Sequence, residues 1–598
     1  MRFKSETRNL KPARASGGLP RPHLEEAVPP VYAREDLLAA RFRVAKVVPY
    51  QQSHTPFISN LSLAIFSGWL LMFAFPDWNL WSLGWVGVAP LIMAVVREQR
   101  FWRSLLLGSV TGTIFYVGSS YWVTHSMHRY GGVPLWLCYI ILAVFSLTLG
   151  VFTGLFGAVL AQAVKRFGGW AILSAPVVWA ASEWARVEVI GVGWNALGYS
   201  QAVQPAVIQV ARFGGVYLVS AVMVAASTAL VFAMVYLERR RGIVVLTAAG
   251  VIAIACVLYG QSLRPEGEQE GSVSVAVVQP NVPIDGDWDD PKFVDQMLLR
   301  HVSLSEQAIK DYEKEAASSR GARQAGLSGG GQRPPGGADA ARARIDLVIW
   351  PESPMNFAYD RDEGLRRRIA GFTNRNEVYL LMNSWGYPKD AGAGESQYNS
   401  ALVIGPSGEK IAEYDKIALV PFGEYVPARG WIPFMDRIPA LAGDITPGTS
   451  FSLGEVAGAK LGTSICFEAT RPDIARRMRR EGASALVQIS NELWFGPTAA
   501  PRQMLAHAAF RAVENNVELI RATNSGWSAR IDRYGVAHDE TPMFETATRT
   551  WKIKTVDEAL GDRLTFYTRH GDVFVITCAA LSLALAIASF IPEKESGE

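Results

Sequence analysis

Three residues in the C-terminal half of the chain carry complementary chemistry in similar settings. Glu352 follows the apolar run in DLVIWPES (346–353), Lys416 sits in YDKIALVPFGEYVP (414–427), and Cys466 ends the run GTSICFE (462–468). A thiolate can attack a carbonyl, a carboxylate can take the thiol proton, and an ammonium can stabilise the oxyanion that results. Taken singly, each has an ordinary reading. A cysteine after an apolar strand is often a small core residue, a glutamate after IWP can cap a helix or pair with an arginine, and a loop lysine is usually solvated. No histidine stands in a comparable strand-end motif to act as the base: His301, His507, His538 and His570 all lie elsewhere. The four cysteines are Cys138, Cys256, Cys466 and Cys578. Cys466 alone falls in the polar part of the chain, which excludes a disulfide scaffold and leaves its thiol free. No HExxH or Cys/His cluster gives a metal signature, so no metal and no cofactor is expected.

The elements that must position these residues form two kinds of structure. Residues 57 to 262 are a series of long apolar runs, and 572 to 592 is another. About 20 apolar residues cross a bilayer. Eight spans are expected, near 57–76, 80–97, 103–124, 134–163, 170–188, 214–237, 243–262 and 572–592, with the fifth interrupted by Glu183 and Arg186. Basic clusters alternate between the runs in REQRFWR (97–103), KRF (165–167) and ERRR (238–241). The positive-inside rule places these loops and both termini in the cytoplasm and the domain after the seventh span on the outer face of the membrane. Residues 1–55 are polar and Pro-rich, have no signal-peptide apolar core, and read as a disordered extension. The net charge of +3 and the lack of an aromatic-laced basic stripe exclude nucleic acid as a partner.

The domain over 263–570 alternates short β-branched runs with helical patterns. Strands are expected at 272–280, 345–352, 378–385, 400–409, 459–467, 484–491 and 517–525, and helices at 291–317, 361–375 and 500–516. Near-continuous apolar strands imply a sheet covered on both faces, an α/β arrangement. In such a fold, strand ends present side chains to a crevice. The Gly-, Ala- and Arg-rich stretch 318–344 reads as a disordered insertion. Residues 571–598 supply the eighth span and a short tail.

WPES (350–353), YDK…LVPFGEYVP (414–427) and ICFE (465–468) together resemble the Glu, Lys and Cys motifs of the nitrilase superfamily. With an eight-span frame around the domain, the sequence resembles that superfamily's membrane-bound branch, the apolipoprotein N-acyltransferases. QPNVP (279–283), QYNSALV (397–403), SNELWFGPT (490–498) and LIRATNSG (519–526) add to the likeness, which runs from about 57 to 592. The resemblance implies an αββα sandwich on a membrane bundle. It also implies transfer of an acyl chain from a phospholipid, commonly phosphatidylethanolamine, through a cysteine thioester to the α-amine of a diacylated apolipoprotein. In that reading Cys466 is the nucleophile, Glu352 the base and Lys416 the oxyanion partner, assisted by a backbone N–H near Cys466 or Phe467. Glu424 positions Lys416, Asn399 and Glu468 are supports, and Trp494 and Phe495 line the site. The loop 425–443, with Trp431 and Phe434, would dip into the outer leaflet and admit acyl chains. Phe467 stands where family members often carry Tyr, and Val517 where some carry a basic residue, with Arg521 a possible nearby charge for a head group. A monomer suffices. The competing readings are a membrane-tethered amidase with the same three residues, and a scaffold with a decayed site.

Overall fold

In the computed structural model, which describes residues 56–235, 240–263, 273–288, 290–326, 344–352, 357–388, 397–426, 444–556 and 564–591, the strand runs of the C-terminal half build two six-stranded sheets. The strands are β1 Val273–Gln279, β2 Leu347–Ile349, β3 Tyr379–Gly386, β4 Tyr398–Ile404, β5 Lys410–Asp415, β6 Leu453–Val456, β7 Ala459–Ile465, β8 Ala485–Ser490, β9 Leu519–Thr523, β10 Ala529–Ile531, β11 Ala537–His538 and β12 Ala547–Ile553. One sheet runs β12-β1-β2-β3-β4-β5 and the other β11-β10-β9-β8-β7-β6. Each has a parallel trio, β1-β2-β3 or β7-β8-β9, with antiparallel strands on either side.

Alternation along the strands sorts the layers. Val273, Val275, Val277, Leu347 and Ile349 share one core with Leu461, Ile465, Val487 and Ile489 of the second sheet. Their neighbours Ala276, Val278, Val348 and Trp350 turn the other way, into a separate core with Leu298, Ile309, Ile369 and Phe372. The latter come from the helices Pro291–Gly326 and Glu363–Asn376, which cover the outer face of the first sheet. The helices Pro472–Arg480 and Ala500–Asn515 pack on the second sheet. The layers are therefore helix, sheet, sheet, helix.

All seven expected strands are present. The five others are short, or rich in charge and threonine, and give no apolar run: KIAEYD at β5 and ATRTWKI at β12 are the longest. The helix from Pro291 continues to Gly326, so the start of the expected insertion at 318–344 is helical. Its alanine, arginine and glutamine content favours that state. Residues 327–343 lie outside the described residues, as does the extension 1–55.

A helix lies in each of the eight apolar stretches: Phe57–Phe73, Ala89–Glu98, Phe101–Ser119, Leu135–Phe167, Ala175–Ile190, Ala211–Val235, Arg240–Ser262 and Val573–Phe590. Pro56 and Pro134 precede helix starts, and Gly168 and Gly191 follow helix ends, as their backbone preferences require. Four of the helices, Leu135–Phe167, Ala211–Val235, Arg240–Ser262 and Val573–Phe590, are long and apolar enough to cross a membrane. The stretch expected as a second continuous span is instead a 3-10 turn, Trp81–Trp85, and a ten-residue helix, Ala89–Glu98. That helix is about 15 Å long, half of a bilayer core. Gly87 interrupts the run where the chain presses on Leu71, and Pro90 restarts the helix in its first turn.

Phe101–Ser119 and Leu135–Phe167 meet along a stripe of small residues. A Cβ on Gly108 would lie 2.3 Å from the Thr153 carbonyl oxygen, and one on Gly154 2.7 Å from the Leu105 carbonyl oxygen. Lipid offers no hydrophobic drive to pair helices, so close backbone approach and dispersion must hold them. The helix Ala500–Asn515 joins the two halves. Its Leu505, Ala508 and Ala512 pack with the second sheet in the core of the sandwich, while Phe510 and Val513 enter the core of the helical half. Two apolar faces explain why its sequence shows no clean amphipathic stripe.

The glycine stripe makes a direct prediction. Gly108→Leu must push the two helices apart, and should lower the Tm of the detergent-solubilised protein by about 2 °C or more. Gly250→Leu, at a position with nothing within 4 Å of an added Cβ, should leave it unchanged.

Candidate active site

Both sheets contribute strand ends to one buried polar cluster. β2 ends at Ile349, and Trp350 directly after it is fixed by its backbone N–H to the Leu381 carbonyl (2.9 Å) and by its indole N–H to Ser305 Oγ (2.9 Å). Glu352 follows two residues on. β5 ends at Asp415, and the Lys416 N–H continues its ladder to the Asn399 carbonyl at 2.8 Å. Cys466 comes directly after β7, in the opposite sheet. Glu352, Lys416, Glu424 and Cys466 are all buried.

Lys416 Nζ donates to Glu424 Oε1 at 2.7 Å and to Glu352 Oε1 at 3.4 Å. Asn399 Nδ2 bridges the same two carboxylates, at 2.9 Å from Glu352 Oε1 and 3.2 Å from Glu424 Oε1. Asn383 Nδ2 donates to Asn399 Oδ1 (2.7 Å) and so fixes which way that amide faces. The remaining oxygens take backbone donors: Glu352 Oε2 from Asn491 N–H (3.0 Å) and Glu424 Oε2 from Val420 N–H (2.8 Å). Burial alone would push the Lys416 ammonium toward neutrality, but the Glu352 and Glu424 carboxylates more than reverse this and hold its pKa above the usual lysine range. Lys416 is a fixed cation.

Glu468 ties one sheet to the other. Its Oε1 accepts from Tyr414 Oη (2.7 Å), Ile417 N–H (2.7 Å) and Ala418 N–H (3.1 Å), all beside Lys416, and its Oε2 accepts from Ile465 N–H (2.8 Å) beside Cys466. One carboxylate therefore sets the spacing between the lysine loop and the cysteine turn. Burial raises its pKa, and these donors act in the opposite direction.

Cys466 has φ of +51°, in the left-handed region that a side chain rarely adopts. The strand breaks there into the 3-10 turn Cys466–Thr470, a sharp turn of the kind that lifts a nucleophile out of a sheet. Burial, and then the Glu352 charge, push the thiol pKa up to about 12, with Lys416 pulling the other way. These surroundings favour the protonated thiol over the thiolate.

An aromatic wall stands between this turn and the helical half. Phe467 stacks on Trp194 with 6.3 Å between centroids, and Trp194 and Trp122 both contact Phe495. Gln503, on the helix Ala500–Asn515, accepts from both indoles, Trp194 at 2.6 Å and Trp122 at 3.2 Å, and donates to the Ser119 carbonyl at 2.9 Å. Gly193 comes so near the Thr470 carbonyl that an added Cβ would lie 2.2 Å from it. Trp494 is half-buried, packs on Tyr130, and its carbonyl accepts from Ser126 Oγ (2.8 Å).

Of the sequence-predicted residues, Glu352, Lys416, Cys466, Glu424, Glu468 and Asn399 are brought together, with Phe467 and Phe495 on the wall beside them. Arg521 lies inside the domain. Its guanidinium bonds Gln488 Oε1 (3.2 Å), the Trp527 carbonyl (2.6 Å) and Glu492, and it is wholly buried, so it offers no surface to a head group. Val517 is wholly buried in the core of the sandwich. Residues 427–443, with Trp431 and Phe434, lie outside the described residues. Sequence reasoning missed Asn383, Gln503 and Trp194. It also passed over Gln488, although a glutamine inside the apolar run SALVQISN was a visible signal.

Two family models match the chain: one described as Apolipoprotein N-acyltransferase N-terminal domain, over residues 67–229, and one as Carbon-nitrogen hydrolase, over residues 274–557. An apolipoprotein N-acyltransferase of Geobacter metallireducens is 31% identical over 540 residues, covering 88% of this chain and 95% of its own. Another, of Chlorobaculum tepidum, is 25% identical over 571 residues, covering 89% and 97%. Among solved structures, a Saccharomyces cerevisiae member of branch 10 of the nitrilase superfamily is 16% identical, covers 50% of this chain and 95% of its own, and has a TM-score of 0.33.

The charges around the thiol predict its reactivity. Alkylation of Cys466 by iodoacetamide should keep accelerating past pH 9.5, whereas an ordinary thiol levels off above about 8.5. Glu352→Gln removes a charge that raises the thiol pKa and should speed alkylation at pH 8. Lys416→Met removes one that lowers it and should slow alkylation.

Proposed function

The chain belongs to the apolipoprotein N-acyltransferase family, and on that premise we propose that it transfers an acyl chain from a phospholipid to its own Cys466 and then to the α-amine of the lipid-modified N-terminal cysteine of an apolipoprotein. The observation that carries this reading is the placement of a buried thiol in one cluster with the Glu352 carboxylate and a lysine held by two carboxylates.

Glu352 takes the proton from Cys466 Sγ as the sulfur attacks the ester carbonyl carbon of the phospholipid. Negative charge moves to the carbonyl oxygen, where the Lys416 ammonium and the Phe467 N–H stabilise it. The tetrahedral intermediate collapses with loss of the C–O bond, and Glu352 returns the proton to the departing glycerol oxygen. A lysophospholipid leaves and a thioester remains. The amine nitrogen then attacks the thioester carbon, the C–S bond breaks, and Glu352 passes the ammonium proton back to the sulfur. This is a ping-pong cycle through a covalent intermediate. Glu424 positions Lys416 and keeps it charged.

The aromatic wall of Phe467, Trp194, Trp122 and Phe495 supports an apolar, water-poor surrounding for the thioester, which water would otherwise hydrolyse. Phosphatidylethanolamine is the proposed donor, and the enzyme works as a monomer. We place it in the bacterial cytoplasmic membrane with eight crossings. The second crossing is completed by the turn Trp81–Trp85 and the helix Ala89–Glu98 inside the bundle, where irregular backbone is tolerated. Basic loops and both termini then face the cytoplasm and the sandwich faces outward.

Intact-protein mass spectrometry after incubation with phosphatidylethanolamine and no acceptor tests the reading. An added acyl mass is expected, absent in Cys466→Ser and discharged by a diacylated lipopeptide. Full transfer activity in Cys466→Ser would overturn the mechanism. An adduct discharged only by ammonia or a small amine would make the enzyme an amidase instead.

A further inference from the structure

The register of the second sheet lines up three polar side chains beneath the nucleophile. β7 and β8 pair Ser464 with Gln488, and β8 and β9 pair Gln488 with Arg521. Neighbouring residues in a row of parallel strands project to the same face, so Ser464, Gln488 and Arg521 share one face, and Cys466 follows directly after β7, two residues beyond Ser464. Gln488 is wholly buried in a strand otherwise made of apolar residues and Ser490. Its side chain does two things: Oε1 accepts from Arg521 Nε at 3.2 Å, and Nε2 donates to the Cys466 carbonyl oxygen at 3.3 Å.

The orientation of this amide is dictated by chemistry. A guanidinium has only donors, so the end of Gln488 that faces Arg521 must be the oxygen, and the NH2 end must face Cys466. Arg521 cannot turn away, because its other nitrogens are held by the Trp527 carbonyl and by Glu492. The effect reaches the next residue through the peptide plane. In a trans peptide the C=O of Cys466 and the N–H of Phe467 point in opposite directions. A donor that holds the carbonyl down therefore holds the N–H up. That N–H lies in the first turn of the 3-10 segment Cys466–Thr470, where it has no carbonyl within the segment to bond.

We propose that Gln488, locked by Arg521, is a positioning residue for the oxyanion donor: it prevents the Cys466–Phe467 peptide from flipping and keeps the Phe467 N–H aimed at the developing oxyanion. Because Cys466 already holds a left-handed φ, the plane that follows it needs an external restraint, and Gln488 supplies one from the neighbouring strand. The inference rests on the acyl-enzyme reading above. It assigns Arg521 a part different from head-group binding, acting at one remove from the site.

The test separates the oxyanion donor from the thiol. In the detergent-solubilised full-length protein, Gln488→Met keeps the volume and removes both hydrogen bonds. Gln488→Glu keeps an acceptor for Arg521 but presents an acceptor to the carbonyl. Both should lower the rate of lipopeptide acylation from phosphatidylethanolamine by about 100-fold, the usual cost of losing one oxyanion donor, with KM for the phospholipid within about twofold of wild type. Alkylation of Cys466 by iodoacetamide builds no oxyanion, so in Gln488→Met its rate should stay within about twofold of wild type. Acylation and alkylation falling together in Gln488→Met would show a general loss of site structure and overturn the proposal. So would wild-type acylation in that variant. If Cys466→Ser itself still transfers acyl chains, the parent reading fails whatever Gln488 does. If Cys466→Ser is inactive and Gln488→Met is normal, only this inference fails.

Discussion

A lysine ammonium out of reach of water is the constraint around which the catalytic domain is arranged. An unpaired charge there would neutralise or unfold its surroundings. Lys416 escapes this because the chain folds back within eight residues to bring Glu424 to it, and because Glu352 arrives from a strand on the same sheet. Two carboxylates so close would repel without a cation between them and a shared donor, which Asn399 provides. Each carboxylate then spends its second oxygen on a backbone N–H. The loops 416–424 and 491–495 are thus held by the same charges to which the proposed mechanism assigns the chemistry.

Much of this was legible from the sequence. The strands that carry Glu352 and Cys466 are apolar runs ending in a polar residue, and Lys416 sits in a loop with its own partner. The second layer was less readable, because it depends on register and on which loops meet. Glu468 touches Tyr414, Ile417 and Ala418, some fifty residues away, and no local pattern signals that. Strand β5 supplies the platform for Lys416, yet KIAEYD lies at an edge of its sheet and lacks the apolar run that marks central strands. The break within the second apolar stretch was hidden for a related reason. Hydropathy counts apolar residues and does not register that Gly87 lies at a break and Pro90 at a new helix start.

The border between the helical half and the sandwich is as tightly made as either interior. Gln503 accepts from two indoles and donates to a carbonyl, all from the helical half, and Glu514 accepts from the Val216 N–H at 3.1 Å. Ser126 and Tyr130 hold the carbonyls of Trp494 and Leu493, in the loop whose first N–H grips Glu352. Glu352 is therefore braced from the helical half.

The helix Ala500–Asn515, with one face in each core, also bears on how such a protein can change over time. A substitution at Phe510 or Val513 is judged by the bundle, and one at Leu505 or Ala512 by the sheets, while the helix can shift for neither without disturbing the other. The two halves are consequently poor candidates for exchange between relatives as separate cassettes. A chimera joined in the linker would bring together a helix shaped by one partner and a groove shaped by another, so the halves are constrained to be inherited, and to drift, as a matched pair.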